Sequence, residues 1–316
     1  MSNLSIAIIG AGYIADEHAK VVNSIEGLSL LGVHSRTHEK LLEFSKSHST
    51  KAFKDIDSLL DEKPDGIIIA VSADQVFEVS KILLPFKIPL LIEKPPGLSL
   101  LEIKELARLA KESDTQNMVG LNRRHMSHFL KGIEIIKKQG PLLGLLVEGH
   151  ERLWQLKGTV EVSLLNKWIY ANSIHTIDLI RFFGGDISEQ ISFNESFGGN
   201  QADQLCSIFK MENKCLATYI SNWHSPGSWG VKLMGDGVSA VFSPLESGIT
   251  IDKSFSKTEI AISKFDKIFK PGFYNQMQSF RDLIRNGKLT WPSSDLEDTL
   301  KTYHIASKMI LESNYN

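Results

Sequence analysis

The stretch "LSIAIIGAGYIA", residues 4–15, decides how the first third of this chain folds. Its opening seven residues form an almost continuous apolar run ending in glycine, which is the pattern of a strand buried on both faces. A helix is predicted next, over Tyr13–Ile25. The small residues are spaced G-x-G-x-x-A across the turn from strand to helix, the context in which this spacing holds a dinucleotide. Gly10 permits the tight turn, Gly12 leaves no side chain where a pyrophosphate meets the backbone, and Ala15 lets the helix pack closely on the strand. The phosphates then face the positive end of a helix, with Tyr13 and Ile14 beside them.

Outward from this turn the same alternation repeats. Apolar strands are predicted at 28–35, 65–71, 88–93 and 117–122, and amphipathic helices at 37–48, 75–84 and 99–113. Strands rich in Ile, Leu and Val that alternate with helices make βαβ units and a parallel, doubly wound sheet. From about residue 144 the pattern changes. Segments such as "LGLLVEGHERLW", "QLCSIFKME", "KCLATYISNW", "WGVKLMGD" and "VSAVFSP" read as successive strands without crossover helices, which argues for antiparallel pairing. The boundary is placed near Leu121, giving domains 1–121 and 122–316.

Composition excludes several classes of partner. The 316 residues carry a formal charge of -2, and 42% of them are hydrophobic, so a core can form and no basic field invites nucleic acid. No run approaches the roughly 20 apolar residues of a membrane helix. Cys206 and Cys215 have no metal-like spacing and read as reduced core residues of adjacent strands. With no basic leader before the first apolar run, the expected location is the cytoplasm.

Two further segments bear on the cofactor. NAD-binding domains place an acid about 20 residues after the glycines to hold the ribose hydroxyls. Here that position reads "HSRT", and Ser35, Arg36 and Thr37 offer hydroxyls and a guanidinium suited to a 2′-phosphate. NADP is expected, with NAD as the alternative. The second segment, "LLIEKPPG" (90–97), stops a strand at an acid, a lysine and two prolines. Proline removes a backbone donor and turns the chain, so that Lys94 is presented at the strand's carboxyl end, where such sheets bind ligands.

Gly10 to Ala15, Glu93-Lys94-Pro95, "VGLNRRH" with Asn122, Arg123 and Arg124, and "SIHTIDLIRFFGG" with His175 and Asp178 occur in one order and spacing. In these motifs, and in its closing helical segment, the chain resembles the Gfo/Idh/MocA oxidoreductases, named for glucose-fructose oxidoreductase and inositol dehydrogenase. The resemblance implies an N-terminal Rossmann domain and a C-terminal α/β domain whose large, mostly antiparallel sheet forms a substrate wall and an oligomer interface, in a homodimer or homotetramer. It assigns proton transfer to Lys94 and His175. Glu93, Lys94 and Asn122 would join the cofactor site, while Lys94, Arg123, Asn172, His175 and Asp178 would meet a carbohydrate-like substrate.

The chain departs from the family twice. Position 171, where the family often has aspartate, is alanine, and Tyr170, Asn172 and Lys167 remain open as substitutes. A histidine often found after the strand at 65–71 is replaced by Phe77. His175 and Asp178 lie three apart on one helix face, so they are expected as neighbours; with no third ligand at suitable spacing, no metal is expected. Arg124 could equally be solvated. Arg152, Trp154, Trp168, Trp223, His224 and Trp229 suit sugar binding by type, yet tryptophans also serve as core residues. The leading expectation is an NAD(P)-dependent dehydrogenase of a sugar, cyclitol or nucleotide-sugar alcohol. The alternatives are a redox-assisted glycoside hydrolase and a non-catalytic dinucleotide sensor.

Overall fold

A computed structural model describes residues 3–197 and 202–310. The described residues divide into two compact units: those up to His125 together with Lys264–Leu300, and those of Met126–Ser263 together with 301–310.

The first unit alternates β1 (Leu4–Ile9), α1 (Tyr13–Ser24), β2 (Leu28–His34), α2 (His38–Ser47), β3 (Lys51–Phe53), α3 (Ile56–Leu60), β4 (Gly66–Ile69), α4 (Val76–Leu83), β5 (Leu90–Ile92), α5 (Leu100–Ser113) and β6 (Asn117–Val119). Its strands are parallel in the order β3-β2-β1-β4-β5-β6, the doubly wound topology expected. The short β3 and α3 have too few apolar residues to show a period, and the sequence reading did not include them.

Strand order reverses between β1 and β4, and ligand crevices of such sheets open at that reversal. Ile9, Ile69 and Ile92 stand in register across β1, β4 and β5, so the turns after these strands emerge side by side. Backbone bonds carry the ladder to the edge: Gly10 N–H donates to His34 O, Ala70 N–H to Ile9 O, and Glu93 N–H to Ile69 O.

The division of the chain differs from the expected break at 121 and 122. Residues 264–300 begin with α10 (Lys264–Ile268) and belong with the first unit, because α11 (Phe273–Asn286) turns Phe273, Met277, Phe280 and Leu283 into the core that holds Ile6, Ile8, Val21, Val22 and Ile68. That i, i+4, i+7, i+10 stripe has to be buried somewhere. Nothing in its local sequence says which sheet receives it.

The second unit contains α6 (Ser127–Gln139), β7 (Leu142–Gly149), α7 (Leu153–Leu156), α8 (Val162–Leu165), α9 (Ile174–Gly184), β8 (Ile187–Glu195), β9 (Gln204–Met211), β10 (Leu216–Asn222), β11 (Trp229–Gly235), β12 (Val238–Phe242), β13 (Ile249–Asp252) and β14 (Lys257–Glu259). Its sheet runs β14-β13-β12-β11-β7-β10-β9-β8, antiparallel except for the β7–β10 pair. The chain reaches that parallel pairing by way of α7, α8, α9, β8 and β9, and one face is covered by α9 on β7 and β10 and by α6 on β11 and β12. Residues Ile174–Ile180 of α9 are all buried. The other face is open, and β9 alternates strictly between buried and exposed residues.

This alternation corrects the reading of the cysteines: Cys215 is buried, but Cys206 points to the open face and is exposed. No described helix is long and apolar enough to cross a membrane.

Candidate functional site

In the first unit the G-x-G-x-x-A turn is made by backbone constraint. Gly10 has φ +117, and a Cβ there would lie 2.1 Å from Ala70 O, so no other residue fits without moving β4. Gly12 differs. It is extended (φ -94, ψ -178) and a Cβ would meet nothing within 4 Å, so the space in front of the N-terminus of α1 is open. An open approach, free N–H groups of a first helical turn and the helix dipole together fit a pyrophosphate. Tyr13 is exposed beside this opening with the Lys270 ammonium 5.6 Å from its ring centroid, and Ile14 packs against the unit's core. Lys270 is a cation that the motif reading missed, because it arrives from residue 270.

Ser35, Arg36 and Thr37 follow β2 as expected. Thr37 is the N-cap of α2 and makes no side-chain capping bond. Arg36 lies within electrostatic reach of Asp74, whose carboxyl is held below its ordinary range first by the Ser72 hydroxyl, then by Gln75, with a smaller contribution from Arg36. Asp74 comes from the turn after β4 and carried no motif.

The end of β5 is organised around a buried pair. Glu93 is buried and its Oε1 lies 2.7 Å from Nε2 of His18, a fully buried residue of α1. Its Oε2 accepts the Lys94 N–H at 3.1 Å. Thus Glu93, expected to face the cofactor, is engaged inside the unit. Lys94 is half-buried, and its peptide bond to Pro95 is cis. A signal for His18 did exist: it falls on the apolar stripe of Ala15, Ala19 and Val22, where a histidine requires a partner.

The "NRRH" segment is more structural than expected. Asn122 donates its amide to Pro271 O at 2.9 Å. Arg124, which the sequence left open as solvated, is buried and ion-paired with Asp298 at 3.1 Å. Arg123 is half-buried. His125 is fully buried, and burial, followed by the charge of Arg124, lowers its pKa from 6.5 to about 3.

In the second unit a cavity of about 320 Å³ opens beside the end of β7, with His150, Glu151, Arg152, Trp168, Asn172 and Trp229 in its lining. The segment Ile169–Ser173 is a wide π turn leading into α9, a distortion that recurs at functional sites. It delivers two donors to one carboxylate: Asn172 Nδ2 lies 3.1 Å from Glu151 Oε2, and Ser173 Oγ lies 2.7 Å from Oε1. Glu151 is buried. It lies two residues after β7, next to Arg152, and carries no motif of its own.

His175 is buried with its ring 6.0 Å from that of Trp229, a residue of the cavity wall. Asp178 follows one turn later on α9. It is buried and accepts from the Thr302 hydroxyl at 3.0 Å, which ties α9 to α12 (Leu296–Ile310). Of the aromatic candidates, Trp168 and Trp229 line the cavity, whereas Trp223 is core, with its indole N–H donated to Ser221 Oγ at 2.9 Å. His224 is bonded to the buried Asp203, and Trp154 is exposed.

Comparisons with known proteins agree with this architecture. Residues 4–121 match the family described as "Oxidoreductase family, NAD-binding Rossmann fold". The chain is 31% identical over 144 residues to glucose-6-phosphate 3-dehydrogenase of Bacillus subtilis (strain 168); the match spans 45% of this chain and 41% of that protein. Among solved structures, UDP-N-acetylglucosamine 3-dehydrogenase GnnA from Acidithiobacillus ferrooxidans superposes with a TM-score of 0.79 at 18% identity, over 98% of this chain and 97% of its own. A myo-inositol dehydrogenase from Corynebacterium glutamicum gives 0.75 at 19% identity, over 97% and 95%. At these identities the structural matches establish the fold.

Proposed function

From the match of residues 4–121 to an oxidoreductase family with an NAD-binding Rossmann fold, we propose that the chain is a Gfo/Idh/MocA oxidoreductase that transfers hydride between a nicotinamide dinucleotide and a secondary alcohol of a sugar, cyclitol or nucleotide-sugar. The observation that carries this reading lies within one sheet edge. The open, side-chain-free turn at Gly12 and the lysine after β5 emerge two strands apart, about 10 Å at the usual strand spacing. Gly12 and the N-terminus of α1 would hold the pyrophosphate of a dinucleotide, and Lys94 stands on the same edge, where it would serve the hydride chemistry that the cofactor supplies.

When bound, NAD(P) supplies the hydride acceptor or donor. Lys94 handles the proton: as the carbonyl forms, its Nζ takes the hydroxyl proton or holds it by hydrogen bond, and His175 is the second group able to carry it. Arg36 with the hydroxyls of Ser35 and Thr37 favours NADP, while Asp74 beside Arg36 competes for the guanidinium and leaves NAD usable. In the second unit Trp168 and Trp229 offer flat apolar faces and Glu151, Asn172 and Arg152 offer polar partners, a combination that suits a ring bearing hydroxyls. Arg123 and Asp178 are further candidates for the substrate side. The relatives' sugar and cyclitol substrates support this class.

The open sheet face supports an assembly. Ile191, Phe193, Ile208, Leu216 and Ile220 are exposed there, with Ile191 opposite Ile208 and Phe193 in line with Cys206 and Ile220. Contiguous apolar surface of this kind is normally covered, and a second copy laid sheet to sheet gives a homodimer, paired again in a homotetramer. Free thiols and nicotinamide chemistry favour the cytoplasm.

The test is direct. Purified protein is incubated with NADP or NAD and a panel of sugars, sugar phosphates and cyclitols, and absorbance at the reduced-nicotinamide band is followed. Substrate-dependent reduction that Lys94→Ala abolishes upholds the reading. Aglycone release without accumulating reduced cofactor would replace it with a redox-assisted hydrolase, and cofactor binding with neither signal would leave a sensor.

A further inference from the structure

The pair at the end of β5 has a geometry that fold stability alone does not demand. The Glu93 carboxylate bridges two elements: one oxygen takes the His18 imidazole of α1 at 2.7 Å, the other takes the Lys94 N–H at 3.1 Å. That N–H lies beyond the β5 ladder, whose last bond to β4 is Glu93 N–H to Ile69 O. The imidazole is itself held from the side by Phe273, ring centroids 4.6 Å apart and planes at 24°. The carboxylate has room only because residue 120 is glycine: a Cβ there would stand 2.8 to 3.0 Å from three of its atoms. Three elements and α11 therefore converge on one carboxylate. Replacing a buried polar pair with apolar groups is often neutral or stabilising, so such pairs are weak evidence for stability and stronger evidence for fixing a geometry.

We propose that His18 is a positioning residue for Lys94, acting through Glu93, so that the helix receiving the dinucleotide phosphates also sets the place of the amine. The path is two hydrogen bonds long, from α1 to the carboxylate to the backbone of residue 94. The backbone fixed there is the origin of a long, flexible side chain, and fixing it narrows the volume that Nζ samples. The role assigned to Lys94 rests on the dehydrogenase reading above; its position and reactivity do not.

The experiment uses the full chain without cofactor and four variants: His18→Phe, which keeps the ring against Phe273 but removes the nitrogen, His18→Gln, which restores an N–H to the carboxylate, Glu93→Gln, and the His18→Phe/Glu93→Gln double variant. Each is pulsed with an acetylating reagent, and the rate at Lys94 is read by peptide mass spectrometry against the remaining lysines. NADPH affinity is measured by nucleotide fluorescence. The expected result is a change of about threefold or more at Lys94 alone in His18→Phe, recovery in His18→Gln, a double variant no further changed than the larger single, and NADPH affinity within about twofold throughout. An unchanged Lys94 rate overturns the proposal. So do additive effects in the double variant, or a rise at all lysines together, which would make the pair a matter of folding only. If His18→Phe does not fold, His18→Gln and Glu93→Gln decide by the same criteria. Because this readout needs no substrate, a failure of the dehydrogenase reading shows as absent turnover in the wild type and stays separate.

Discussion

The carboxyl edge of the parallel sheet and the cavity beside β7 both gather polar groups, but by different means. At the sheet edge the groups are largely backbone: a glycine forced against Ala70, a glycine with open space before it, and the first turn of α1. In the cavity they are side chains brought from separate stretches, at 150–156, 168–172 and 227–246. A backbone-built site is written in a few consecutive residues. A site assembled from side chains depends on how strands and helices happen to meet.

The largest expected effect tests the chemistry of the first region. Lys94→Ala should lower kcat by about 10²–10⁴-fold, the usual worth of a positioned proton-transfer group, with dinucleotide affinity nearly unchanged. Steady-state rates against fluorescence titration separate the two. A proportional loss of affinity would make Lys94 a cofactor ligand instead, and the contrast between backbone-built cofactor site and side-chain chemistry would weaken.

The two glycines sharpen the contrast within one turn. Gly10→Ala adds a methyl to a position with positive φ and a carbonyl 2.1 Å away, so a stability loss on the order of 3 kcal/mol is expected from strain and overpacking. Gly12→Ala meets nothing, so its stability should stay within about 0.5 kcal/mol while dinucleotide affinity falls about tenfold or more. Urea unfolding and nucleotide titration on both variants check this. If Gly12→Ala binds normally, the pyrophosphate does not approach at that position.

Legibility in the sequence follows the same division. Strands buried on both faces read as apolar runs, and the G-x-G-x-x-A turn, the "EKP" stop and the doubly wound order came directly from them. Three contributors to the same edge belong to no motif. His18 is marked only by its place on an apolar stripe, which calls for a partner without naming it, Asp74 follows a different strand, and Lys270 arrives after the chain has left and re-entered the unit. Glu93 was legible as special but not as internally engaged, because a motif reveals residue type and order, not which way a carboxylate turns. In the second unit the strands and their antiparallel pairing were legible from alternation. Glu151 was not, since a single acid after a strand looks like any solvated one. The open face was also lost: alternation shows that a strand has two faces, but Cys206 and Cys215 fall on opposite ones for reasons of register.

A smaller effect probes the neutral imidazole buried after β6. His125 titrates at about 3 in the folded protein, chiefly through burial, against 6.5 for an ordinary histidine. The unfolded chain therefore binds a proton below pH 6.5 that the folded chain refuses until about pH 3. Stability from this group is intact above 6.5 and falls as pH drops through that window, at about 1.4 kcal/mol per unit. Between pH 7.5 and 5.5 the wild type should lose about 1.4 kcal/mol that a His125→Gln variant does not lose, read from urea midpoints at the two pH values. Equal losses would place the acid sensitivity elsewhere.

The least perturbing test concerns the open sheet face, where the two cysteines act as paired reporters. Cys215 is buried, and burial pushes its thiol up, so it should resist a thiol reagent until the protein unfolds. Cys206 sits on the outward face, level with Phe193 and Ile220, and Cys206→Ser should change stability by no more than about 0.5 kcal/mol. Its labelling rate carries the information. If a second copy covers the face, Cys206 reacts quickly in dilute protein and slowly in concentrated protein, and a charge placed in the same patch by Ile208→Lys keeps it fast at every concentration. A rate that ignores concentration in the wild type would leave the apolar face uncovered by its own kind and break the assembly reading, while the cofactor edge in the other unit stands untouched.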